Sequence, residues 1–147
     1  MPDRILLVQL ADIGDLIVTI PAIIALREAL PDAHLTLLTS HHAKAVIAAD
    51  LVDAILAFDK KGLNGTKALL NPANIQRIFA LREGHYDTVV FFHHFTLKLG
   101  ALKFWLIAKA TGAEYILGLD NGNAPFLTHT ITDDGFGAKH QAQYWLD

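Results

Sequence analysis

Asp12, Gly14 and Asp15 share one short turn near the start of the chain and are the first residues whose types and spacing suggest chemistry. A dinucleotide-binding turn needs G-x-G-x-x-G, so that bare backbone can approach a pyrophosphate at a helix N-terminus. A single glycine between two carboxylates cannot do this, because the anionic side chains would repel a phosphate. The turn offers instead a carboxylate at the positive end of a helix. Asp is also a preferred N-cap and first-turn residue, so either aspartate can be read simply as a cap for orphan N–H groups. The functional reading is a general base, ionised at neutral pH and able to take a substrate proton.

Other candidates lie further along. His41-His42 and His93-His94 each follow an apolar run of strand length, which would put both pairs on one sheet edge. Adjacent side chains diverge, so such a pair rarely gives one metal two ligands, and no H-E-x-x-H or Asp-rich calcium loop is present. Contact with a substrate, or no role, is the better reading. Lys60-Lys61 reads either as a solvated turn or as an anion clamp for a phosphate or carboxylate.

The elements that must position these residues follow from periodicity. Residues 5–10 form a short apolar run, the turn at 11–15 breaks it, and residues 16–30 continue as an apolar segment of helical length. Strand, tight turn and helix suggest the first unit of an open parallel α/β sheet, where loops at the strand carboxyl ends build the site. Pro21 inside the helical pattern predicts a kink, or a proper start only near Ile20. Strands are predicted at 34–39, 54–58, 86–92, 115–118 and 127–132. Helices are predicted at 40–50 with Ser40 as N-cap, at 73–83 closed by Gly84, at 97–110 ended by Thr111-Gly112, and from 138 onward. The alternation gives a Rossmann-like, doubly wound and mostly parallel sheet. Acids after the first strand and Asp59 after the third also suggest a phosphoacceptor receiver. That reading wants Thr or Ser ending strand four and Lys ending strand five, where His93 and Gly118 stand.

Composition narrows the function classes. The chain has 147 residues, the size of one domain with one core. A formal net charge of −3 argues against a nucleic-acid partner. There is no cysteine, which removes disulfides and Cys-based zinc or redox sites. No signal-peptide pattern or membrane-spanning run is visible, so a cytoplasmic location is expected. Hydrophobic residues make up 52% and the mean hydropathy is +0.33, rich for an isolated domain. The first helix is apolar on nearly every face until Arg27, which predicts burial on all sides, against a second domain or a membrane surface. Lysines 98, 103 and 109 among Leu, Phe104 and Trp105 read as core with snorkelling lysines, or as a helix lying on a membrane.

The opening also resembles that of the bacterial heptosyltransferases, the family-nine glycosyltransferases of lipopolysaccharide inner-core synthesis. The matching positions are the strand, the turn Gly14-Asp15, then Pro21, Ala22 and Leu26. Further similarity lies at 30–38, 86–90, 108–113, Gly118, 126–129, and His140 with Tyr144. After strand four the family often shows an L-Q-G-N-like run, where this chain has Phe92-His93-His94-Phe95. The resemblance implies the N-terminal, acceptor-side half of a GT-B enzyme, with residues 1–147 ending before a C-terminal domain that binds the nucleotide sugar. It implies inverting transfer of a sugar such as heptose from an ADP-heptose-like donor to a lipid-linked acceptor. No cofactor or metal ion is implied, and this chain alone would be inactive. By motif the catalytic base falls on Asp15, and Gly14, Lys60, Lys61 and His93 are the expected acceptor-binding residues. A peripheral position on the inner face of the cytoplasmic membrane is expected as well. The other reading is a non-catalytic acceptor-binding module.

Overall fold

A computed structural model describes residues 3–58, 72–135 and 137–147. Asp59, Lys60 and Lys61 lie outside the described residues. Six strands form one sheet: β1 (Arg4–Gln9), β2 (His34–Ser40), β3 (Ala54–Phe58), β4 (Thr88–Phe91), β5 (Tyr115–Asp120) and β6 (His129–Thr132). Their order is β3-β2-β1-β4-β5-β6, and every pairing is parallel. The helices among the described residues are α1 (Ile13–Ala29), α2 (Pro72–Glu83), α3 (Lys98–Thr111) and α4 (Gln141–Leu146), with a 3-10 turn at Ala43–Val46. This is the doubly wound arrangement. A receiver domain would carry the order 2-1-3-4-5, so the receiver reading falls.

β1 lies at the centre and is buried on both faces, which is why it reads as a continuous apolar run rather than an alternation. Its side chains divide by parity. Ile5 and Leu7 pack with Leu16 and Ile23 of α1, whereas Leu6 and Val8 pack with Leu81 of α2 and Phe104 of α3. Phe91 anchors the second layer, meeting Phe95, Phe104 and Phe126 edge to face at 5.6–6.0 Å.

Three local expectations are refined. First, α1 starts at Ile13 and runs through Pro21. Pro21 is exposed, as is Ile17, whose carbonyl loses its helical donor and can turn to water. Second, α1 buries one face against the sheet, through Leu16, Thr19, Ala22 and Ile23, and leaves Ile13, Ile17 and Ile24 exposed, since nothing among the described residues covers its outer side. Third, residues 40–50 hold only the 3-10 turn. Ser40 belongs to β2, and its hydroxyl accepts the Ala43 N–H at 3.3 Å. At the end of α2 the positive φ falls on His85, at 48°, and not on Gly84. Gly84 is needed because a Cβ there would meet the Tyr86 ring.

The sheet turns about Gln9, which is 1% exposed and hydrogen-bonded at both ends of its amide. Its Nε2 donates to Thr19 Oγ1 at 3.1 Å and to the Phe92 carbonyl at 2.9 Å, while its Oε1 accepts the Ala11 N–H at 3.1 Å. One amide thus ties β1 to α1, to the end of β4 and to the turn that follows. Gln9→Leu would strand these groups at about 1–3 kcal/mol each for the buried ones. The expected loss of stability is about 2–4 kcal/mol, measured by urea unfolding.

Candidate functional site

The order of strands reverses between β1 and β4, and their carboxyl ends part there. In open α/β sheets this is where a crevice forms. A cleft of about 360 Å³ occupies it, lined by Gln9 at the end of β1 and Ala11 after it, Asp15 on α1, Phe92 to His94 and Thr96 after β4, and Gln141 and Trp145 on α4. A second groove, of about 330 Å³, lies over the β4–β6 face, but its walls are mostly apolar. The polar groups converge on the first.

Asp15 is exposed and sits in the first turn of α1. Its Oδ2 accepts the Asp12 N–H at 3.2 Å, and the two aspartates form a capping box. Asp15 therefore does cap the helix, and it also presents a carboxylate to the cleft. Its carbonyl accepts the Thr19 hydroxyl at 2.7 Å, which links the turn back to Gln9. Asp12 is exposed and does not line the cleft. At Gly14 a Cβ would meet nothing within 4 Å, so open space lies before this turn.

His93 is on the opposite wall. Its Nε2 accepts the Leu10 N–H at 3.0 Å, and its ring stacks on Phe104 at 4.4 Å. Burial, reinforced by the nearby positive charge of Lys103, pulls its pKa down to about 3. The ring is neutral, and because Nε2 accepts, Nδ1 carries the proton. His93 also lines an adjoining pocket with Thr96, Leu97 and Lys103.

His94 was not assigned a role from sequence, yet it is the better connected of the pair. Its Nδ1 lies 2.8 Å from Asp133 Oδ2, with side-chain exposures of 6% and 3%. Gln141 Nε2 lies 2.8 Å from His94 Nε2. Asp133 follows β6 and lies 39 residues on, a separation at which sequence offers no signal of contact. Gln9, equally missed, had one visible signal: a polar residue closing an apolar strand. His41 and His42 are exposed and do not line this cleft. Among the described residues no group of three or more His, Asp or Glu could hold a metal ion.

No family model matches the chain, and no curated protein does. Solved structures do match. One is the glycosyl transferase family 9 from Veillonella parvula DSM 2008, with a TM-score of 0.75 and 22% identity over 98% of this chain and 39% of that one. The E. coli heptosyltransferase WaaC matches too. Its structure with ADP-2-deoxy-2-fluoro heptose gives a TM-score of 0.72 and 16% identity, over 97% of this chain and 46% of WaaC. Its structure with ADP gives 0.70 and 18%, over 97% and 45%. The fold is that of one domain of a family-nine glycosyltransferase. The chain spans less than half the length of each of these structures.

The neutral His93 has a consequence for stability. Unfolded, it takes a proton near pH 6.5; folded, it stays neutral until about pH 3. Between these values the unfolded state binds more protons, so stability is full above pH 6.5 and falls with falling pH. The wild type should lose about 2 kcal/mol more than His93→Gln between pH 7 and pH 5, at about 1.4 kcal/mol per unit. Urea unfolding at both pH values measures this.

Proposed function

We propose that this chain is the acceptor-side domain of an inverting glycosyltransferase that transfers a sugar, heptose, from an ADP-heptose-like donor to a lipopolysaccharide-core-type acceptor. The observation that carries the reading is the carboxylate of Asp15 in a switch-point cleft, on a fold shared with family-nine enzymes.

In this mechanism an acceptor hydroxyl enters the cleft over Gly14. Asp15 Oδ2 is engaged by the Asp12 N–H, and Oδ1 takes the hydroxyl proton. The acceptor oxygen attacks the anomeric carbon as the nucleoside diphosphate leaves with the bonding electron pair, which inverts the centre. General-base assistance of this kind contributes roughly 100- to 10,000-fold. His93 offers a neutral N–H donor on the facing wall. Lys60 and Lys61 clamp an anionic group of the acceptor.

Charge stabilisation of the leaving diphosphate falls to a further, donor-binding domain, of the kind that the longer structures have room for. Ile13 and Ile17, exposed on the first turns of α1, offer apolar surface for it to close against. A lipid-linked acceptor would bring the domain to a membrane surface. The outward stripe Lys98, Leu102, Trp105 and Lys109 of α3 suits that contact. No helix among the described residues is long and apolar enough to cross a membrane.

The test separates capping from catalysis. Asp15→Asn keeps the shape and an acceptor for the Asp12 N–H, so thermal melting should barely move. In the complete two-domain enzyme kcat should nonetheless fall by roughly 100-fold or more. Asp12→Asn, on the same turn but outside the cleft, should leave kcat within a few-fold. Equal and small losses at both positions would reduce Asp15 to a cap.

A further inference from the structure

The cleft wall opposite α1 is built by a buried polar chain that the proposed reaction has not yet used. Asp133 Oδ2 faces His94 Nδ1 at 2.8 Å, and Asp133 Oδ1 accepts the Gly135 N–H at 2.9 Å. A carboxylate oxygen at this distance is the acceptor for a proton on His94 Nδ1. In the neutral imidazole Nε2 is then the acceptor. Gln141 meets it with Nε2 at 2.8 Å, closer than its Oε1 at 3.1 Å, as an amide donating to a lone pair should. The edge of the Tyr144 ring at 5.3 Å and the Trp145 ring at 5.6 Å hold the imidazole in place. The Tyr144 hydroxyl donates to the Gly135 carbonyl at 3.0 Å, closing the loop after β6 onto α4.

His94 and Gln141 line the same cleft as Asp15. A glutamine amide is two-faced: with its N–H committed to one partner, its carbonyl oxygen is the head left for another. We infer that His94 and Asp133 are positioning residues that fix the amide of Gln141, so that its Oε1 accepts a hydroxyl of the acceptor sugar beside Asp15. Gln141 is then a specificity residue, selecting a sugar with a hydroxyl donor at that position. This deepens the acceptor reading and rests on it. The chain carries no new chemical step; Asp133 dictates a tautomer, the tautomer dictates an amide orientation, and the amide reads a hydroxyl.

Two measurements on the full chain test this. Long-range proton–nitrogen spectra should show His94 with its proton on Nδ1 in the wild type and in Gln141→Ala. In Asp133→Asn, whose amide can donate as well as accept, a substantial fraction should move to Nε2. Calorimetric titration with a soluble inner-core-type oligosaccharide should show wild-type binding. Gln141→Ala should weaken it roughly 5- to 10-fold, the worth of one hydrogen bond. Asp133→Asn should weaken it in step with the tautomer change, at an unchanged circular-dichroism spectrum. A proton on His94 Nε2 in the wild type overturns the inference, as does oligosaccharide affinity that Gln141→Ala leaves unaltered. The latter result spares the acceptor reading, whereas a wild-type chain that binds no oligosaccharide removes both.

Discussion

Where neighbouring strands of a doubly wound sheet send their chains in opposite directions, backbone groups at the strand ends lose their ladder partners and face a gap. Gln9 fills that gap here, donating to the Phe92 carbonyl and to Thr19, and accepting from the Ala11 N–H. A buried amide left half-satisfied would cost more than it gives, so the geometry around it is tightly held. Everything at the site depends on this junction. It sets where β1 ends, where α1 enters, and how far the end of β4 stands from both. Asp15 is two hydrogen bonds away from it, through its own carbonyl and the Thr19 hydroxyl.

The two walls of the cleft are stiffened by different means. On the α1 side the capping box fixes the turn, and the helix end favours a negative charge at Asp15. On the β4 side two adjacent histidines have opposite duties. His93 turns inward to accept the Leu10 N–H, held neutral by burial. His94 turns toward β6 and α4, where Asp133 and Gln141 take both its nitrogens. Their divergence is the ordinary consequence of adjacent side chains leaving a strand end, and it lets one dipeptide brace two elements.

Much of this was legible beforehand, and the reasons differ by element. The six strands and the layer order follow from apolar runs of strand length alternating with helical segments, a signal that does not need tertiary information. The turn at Gly14-Asp15 stood out by what it lacked. Of the two expectations at Pro21, a kink or a start near Ile20, the late start falls: α1 runs from Ile13 through Pro21, which with Ile17 lies on the exposed side, a placement that sequence does not reveal. Composition records how greasy α1 is and not the direction in which it faces. The structure shows that Leu16, Thr19, Ala22 and Ile23 face the sheet while Ile13, Ile17 and Ile24 face outward, the side on which a second domain or a membrane was expected. The 3-10 turn at Ala43–Val46 was too short to tell from a helix. The His94–Asp133 pair had no local signature, since a contact between residues 39 apart is a property of the sheet order.

The central claim is that the cleft beside Gln9 receives the acceptor and not the nucleotide. Amide chemical-shift mapping on the nitrogen-labelled chain addresses this most directly, titrating an inner-core-type oligosaccharide and, separately, an ADP-sugar. The expected result is saturable shifts with the oligosaccharide, clustered at residues 11–16 and 93–96, and no saturable shifts with the ADP-sugar. Saturable ADP-sugar shifts at Gly14 and Asp15, with the oligosaccharide silent, would contradict the assignment of this domain to the acceptor.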